Sequence, residues 1–118
     1  MVPSPLKEHT YNFALQIIRF VQSLPRNRIA DVLDNQLLRC GTSVGANYRA
    51  ACRARSQADF IAKMGIVEEE ADESIYWMEL PASAGIVKPD QVRSLINEAN
   101  EILAMTVTSI RTARKRPA

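Results

Sequence analysis

Apolar residues recur along this chain at alternating intervals of three and four in four separate stretches, the period that turns one face of an α-helix toward a core. In the first stretch Phe13, Ile17, Phe20 and Leu24 are spaced four, three and four apart, which predicts a helix over 6–24. Ser4 followed by Pro5 supplies its start, and the run from Leu24 to Asn27 breaks it. The second stretch carries Leu33, Leu37, Cys40, Val44, Tyr48 and Ala51 on one side and predicts a helix over 28–55. Ser56, with Asp59 three residues on, has the form of a capping box and opens a third helix over 57–80. Phe60, Met64, Val67, Ala71, Ile75 and Met78 form its core stripe. Pro81 is expected to weaken that helix, because its ring removes a backbone donor and opposes the preceding turn. Gly85 serves as the C-terminal cap. A fourth helix is predicted over 90–112, with Val92, Leu95 or Ile96, Ala99, Leu103 and Ile110 inward, and the tail from Arg114 to Ala118 is expected to fray.

Four amphipathic helices with short connections place sequential neighbours antiparallel, so the fold expected is an all-α, up-down-up-down four-helix bundle. Length and composition agree. A chain of 118 residues is one domain, and four glycines and three phenylalanines among many Ala, Leu, Ile, Arg and Glu favour helix over strand. No internal repeat or linker divides 1–118. Cys40 and Cys52, twelve positions apart on one helix, would stand roughly 18 Å apart, beyond disulfide reach. With no secretory signal and no long apolar span, a cytoplasmic location and no membrane association are expected.

Gly41 and Gly45 lie four apart along one flank of the core stripe of the second helix. A strip without side chains lets another helix approach closely, offsetting the roughly 1 kcal/mol that a helical glycine costs relative to alanine. A phosphate-cradling loop is the alternative, but it requires a preceding strand and a Lys-Ser/Thr ending, both absent here. Close helix packing is therefore the reading of these two residues.

The net charge is only +2, so attraction for an anionic partner must come from clustering. Bases crowd 49–55 and 111–116, and acids crowd 68–73. Arg39, Arg49 and Arg53 fall on the side of the second helix away from its core stripe, where guanidinium groups can follow a phosphate backbone. Arg55, Arg111, Arg114, Lys115 and Arg116 add a diffuse field. The competing account pairs these arginines with Glu69, Glu70 and Glu73, within or between subunits, and leaves no basic surface free.

The third helix bears a second, mixed stripe of Ile66, Glu70, Glu73, Trp77 and Leu80, and Tyr11, Leu15 and Ile18 project off the core face of the first. One four-helix core takes only one side of each helix, so this extra apolar surface points to self-association, against the alternative of a broad core that absorbs it.

Chemistry is sparse. His9 is the sole histidine, which excludes a di-iron site built on two Glu-x-x-His pairs and leaves no catalytic triad; it is read as a surface residue near a mobile terminus. The cysteines lack zinc-ligand spacing. Successive acids between Glu68 and Glu73 point in different directions on a helix and are assigned no metal. No catalytic residue and no cofactor is expected.

The tract LLRCGTSVGANYRAACRARSQADFIAKMGIVEEEADESIYWMEL, Leu37 to Leu80, combines the elements TSVGAN, SQADF and EEADE with a following Tyr-Trp pair. It resembles the signature of the four helix bundle protein family, the bacterial 23S rRNA intervening sequence protein encoded within large-subunit ribosomal RNA genes. The resemblance implies an up-down bundle that assembles as a homopentamer without enzymatic activity. It also implies kinship with the accessory variability protein of diversity-generating retroelements, a basic pentameric bundle that binds nucleic acid and a reverse transcriptase. Ala50 stands where relatives often have glutamate, and Pro81 where leucine is usual. The function expected is a non-enzymatic oligomeric scaffold that binds structured RNA, or DNA, through basic surfaces. A protein-interaction module with its arginines in ion pairs is the alternative.

Overall fold

The computed structural model describes residues 5–117 and places them in four helices: α1 Pro5–Gln22, α2 Arg28–Cys52, α3 Gln57–Ser83 and α4 Pro89–Lys115. Each packs on its neighbours in chain order and α4 closes back on α1, while the diagonal pairs do not approach, so the axes stand at the corners of a square. The result is an antiparallel bundle 50 Å long and about 20 Å across, its long dimension set by 25- and 27-residue helices. Ser4, the expected opening of α1, lies outside the described residues.

The starts follow local chemistry. The Asn27 side chain accepts from the backbone N–H of Ala30 at 2.9 Å, and Ser56 accepts from that of Asp59 at 3.1 Å, each satisfying a donor that the first turn leaves open. The second half of the expected capping box differs: the carboxylate of Asp59 takes Lys63 Nζ at 2.8 Å, and that bond holds its pKa below the usual carboxylate value. At α4 the Gln91 side chain accepts from the backbone N–H of Lys88, with Pro89 in the first helical position.

The helix ends differ more from the expected bounds. α2 stops at Cys52, three residues short of the expected Arg55. α3 continues through Pro81 to Ser83 rather than weakening there. Pro81 is buried and lies in the final turn, where its missing donor costs a single intrahelical bond. Its carbonyl then accepts from the N–H of Ile86 at 2.9 Å while that of Ala82 accepts from Gly85 at 3.2 Å; with Gly85 at φ +76° this is a Schellman closure. α4 also runs past the expected Thr112 into the tail, of which Ala118 lies outside the described residues. Arg114 and Lys115 are helical, and the Gln57 side-chain amide donates to the carbonyls of Ala113 and Arg116, tying the end of α4 to the start of α3.

Phe13, Ile17, Leu37, Val44, Met64, Val67, Met78, Val92, Ala99 and Ile102 form the dry centre. The expected core residues Phe20, Leu24, Phe60, Ile75 and Leu103 are only partly buried, packed against its margin, and Leu33 is likewise partly exposed. Thr10, Ser74 and Thr106, which the apolar pattern passes over, are fully buried. Each hydroxyl donates to a carbonyl of its own helix three or four residues back, so it enters the core already satisfied.

The two glycines of α2 lie against α1. A Cβ on Gly41 would stand 3.1 Å from both γ-carbons of Ile17, and one on Gly45 would stand 3.3 Å from the backbone oxygen of Thr10. Cys40 is buried beside Ser74, with 3.3 Å between sulfur and hydroxyl oxygen, and burial raises its pKa; Cys52 is exposed, and both thiols are free.

Candidate functional site

The antiparallel order carries the two basic clusters to one place. The C-terminal turns of α2 end where α3 begins, and Gln57, two residues after Arg55, bonds the last carbonyls of α4. Arg49, Arg53 and Arg55 therefore share one end of the bundle with Arg111, Arg114, Lys115 and Arg116, although the two groups are some sixty positions apart in the chain. All seven are exposed. Among the described residues none of the seven has a carboxylate oxygen within 4.0 Å, and Asp59, four residues after Arg55, is occupied by Lys63. Arg55 also acts on Asp59 electrostatically, in the same sense as Lys63. Beside this end a shallow depression is lined by Phe60, Ser109, Thr112, Ala113 and Arg116.

Arg39 stands apart from that pole. It lies midway along α2, and its two terminal nitrogens reach the carboxylates of Glu70, at 3.4 Å, and Glu73 on α3. Glu73 also accepts from the indole N–H of Trp77 at 3.2 Å. Glu70 and Glu73 are thereby engaged within the chain, crossing the α2–α3 seam.

On the outer flank of that seam lies the larger apolar surface. Ile66 and Leu80 are exposed, as expected, and Trp77 is half-buried, packed against its own chain's core and edge-on to Tyr76 with ring centres 5.0 Å apart. The apolar stripe of the sequence understates this surface. Tyr76 is 54% exposed, and on α2 Ile29 and Val32 are 65% and 60% exposed. These two open the antiparallel partner of the α3 C-terminal half. Their helical offset from the α2 core stripe was the available signal. On α1, Tyr11 is 67% exposed and Ile18 also exposed, whereas Leu15 is half-buried.

His9 departs from its expected role. It lies in the second turn of α1, half-buried, with Nδ1 2.6 Å from Glu98 Oε1 on α4. That hydrogen bond raises the imidazole pKa above 6.5 against the opposing effect of partial burial, and the charges of Glu98, Glu101 and Glu8 add to the rise.

No described helix is long and apolar enough to cross a membrane. No curated protein matches the chain. A crystal structure at 1.70 Å resolution of a protein with unknown function, from the S23 ribosomal protein family of Bacteroides thetaiotaomicron VPI-5482, is similar to it with a TM-score of 0.83. The two are 36% identical, over 89% of this chain and 97% of that one. The family described as 23S rRNA-intervening sequence protein matches residues 6–108, which include all of α2 and α3 and most of α1 and α4. On these two grounds the chain belongs to the 23S rRNA-intervening sequence protein family.

Proposed function

We propose that the protein is a non-enzymatic, cytoplasmic scaffold that assembles with copies of itself and binds the phosphate backbone of structured RNA at its basic pole. The observation that carries the reading is the convergence of seven exposed cations from two distant segments on one end of the bundle, without a carboxylate partner within 4.0 Å among the described residues. Unpaired guanidinium groups at that density attract polyanions and pair with phosphate oxygens regardless of base sequence. Filter binding with an RNA duplex and a single strand tests it. If about five phosphates are contacted, affinity falls by about 10²- to 10³-fold between 50 and 200 mM salt. Undetectable binding at the lower salt removes the proposal.

Assembly is supported by the apolar flank of α2 and α3, where Ile29, Val32, Tyr76 and Leu80 lie open beside Trp77. Exposed aromatic and branched aliphatic side chains in one patch are what interfaces bury. Five copies is the number the family resemblance implies, and light scattering at micromolar concentration decides between that and a monomer. A second reading, in which the arginines serve ion pairs only, draws support from Arg39 and its bonds to Glu70 and Glu73. Under that reading the seven polar cations are solvated and RNA does not bind.

A further inference from the structure

We infer that His9, Glu98 and Glu101 form a binding site for a divalent transition cation of the zinc class, fastening α1 to α4. One donor atom from each of the three residues can be chosen so that all lie within 4.8 Å of one another. They come from two helices. Glu98 and Glu101 are three apart on α4 and so share one face, and His9 meets them from the second turn of α1.

Imidazole nitrogen and carboxylate oxygen bind zinc at about 2.0–2.2 Å, which asks for ligand atoms about 3–3.5 Å apart around a tetrahedral ion. His9 Nδ1 and Glu98 Oε1, now 2.6 Å apart, must open slightly, and the Glu101 carboxylate must close in. Both are side-chain rotations. Glu101 is exposed and makes no hydrogen bond among the described residues, so nothing holds it away.

The electrostatics favour a cation. Glu98, Glu101 and Glu8 all act on the imidazole as negative charges. A dication bound to the imidazole and two carboxylates neutralises the Glu98 and Glu101 charges and leaves that of Glu8. The half-buried positions of His9 and Glu98 reduce the competition from water. The imidazole sets the selectivity, since nitrogen ligands suit zinc, whereas magnesium takes oxygen ligands and keeps its waters. Three protein ligands leave a coordination position for water, and the chain supplies no further histidine to fill it.

Position indicates the role. α1 is the shortest helix, 18 residues against 25 or 27, and it packs more extensively on α2 than on α4. A metal bridge at His9 holds the seam that side-chain packing holds least.

The test uses the full chain stripped with EDTA and titrated with zinc chloride by calorimetry near pH 7.5, with melting followed in parallel. One zinc per chain and a rise in melting temperature are expected, with magnesium chloride giving neither. Glu101→Gln separates a metal site from the existing ion pair, because Glu101 takes no part in the His9–Glu98 hydrogen bond and is exposed. It should lower the melting temperature of the metal-free protein far less than His9→Gln does, since it removes one outlying charge and not the hydrogen bond, and weaken zinc binding at least about tenfold. His9→Gln should abolish binding. Absence of saturable zinc binding, equal affinity in Glu101→Gln, or equal response to magnesium would each overturn the site.

Discussion

Replacing Gly65 with alanine places a methyl group where no neighbouring atom lies within 4 Å, inside a 27-residue helix. The gain is therefore the intrinsic helix preference of alanine, up to about 1 kcal/mol. Gly45→Ala has the opposite expectation, although the same preference applies. Its new methyl meets the backbone oxygen of Thr10 at 3.3 Å, and a backbone cannot rotate aside as a side chain can. The α1–α2 crossing must widen, at a net cost of about 1–3 kcal/mol. Urea unfolding of the two variants checks both signs, and stabilisation by Gly45→Ala would contradict the tight crossing. His9 makes a pH prediction at the same scale. Its folded pKa lies above 6.5, so the stabilisation from its bond to Glu98 is complete below about pH 6.5 and fades as pH rises through the folded value. Measured in EDTA, the difference in unfolding midpoint between the natural chain and His9→Gln should shrink from acid to alkaline pH; a difference that grows would refute the assignment.

At the scale of the element, Gln57 holds two helices at once. Its amide donates to the carbonyl of Ala113, which also takes the N–H of Arg116, and to that of Arg116 just past the last helical residue. Gln57→Ala should cost about 0.5–1.5 kcal/mol and release the last turn of α4, seen as faster amide hydrogen exchange from Arg114 onward. Unchanged protection there would show that the tail is held by something else. This bond also marks the limit of what the sequence discloses. The helix start at Ser56 is legible because its capping side chain bonds a donor only three residues away. The end at Gly85 is legible for the same reason, since the closure involves only 81–86. The order of the tail is not, because its partner is more than fifty positions away. Pro81 reads as a break, since sequence shows the lost donor but not that the loss falls in a turn closed by its own carbonyl. His9 reads as solvent-facing because Glu98 is 89 positions distant. Thr10, Ser74 and Thr106 read as polar although each carries its acceptor within its own helix. The basic pole lies between these cases: its two halves are visible as charge clusters, and their meeting follows once antiparallel order is assumed.

On the scale of the whole molecule the two candidate surfaces are weighted toward opposite ends of the 50 Å axis. Seven cations with no carboxylate within 4.0 Å among the described residues occupy the end formed by the C-termini of α2 and α4, while six of the eight exposed large hydrophobics, Ile18, Ile29, Val32, Tyr76, Leu80 and Ile86, lie toward the opposite end and Tyr11 and Ile66 lie in the basic half. Two functions proposed for one bundle are therefore separable by mutation. The pair Arg53→Glu and Arg114→Glu reverses two charges at the basic pole, and neither residue has an ion-pair partner to lose among the described residues. RNA affinity at 50 mM salt should fall by more than about tenfold and its salt slope should flatten by about two phosphate equivalents, with the assembly mass unchanged. Leu80→Asp places a charge in the apolar flank. Its side chain is 37% exposed, so the lost apolar contact should cost folding about 1–2 kcal/mol, short of unfolding the bundle, while the assembly dissociates. Arg39→Glu differs from both, because it sets a third acid against Glu70 and Glu73 at the α2–α3 seam and should lower the melting temperature itself. Sedimentation, RNA binding and thermal unfolding of the three variants then form a grid in which each proposal has its own column. Loss of assembly in the Arg53/Arg114 variant, with melting unchanged, would mean that the basic end meets another subunit. In that event its cations find carboxylates between copies and the ion-pair reading replaces the RNA reading.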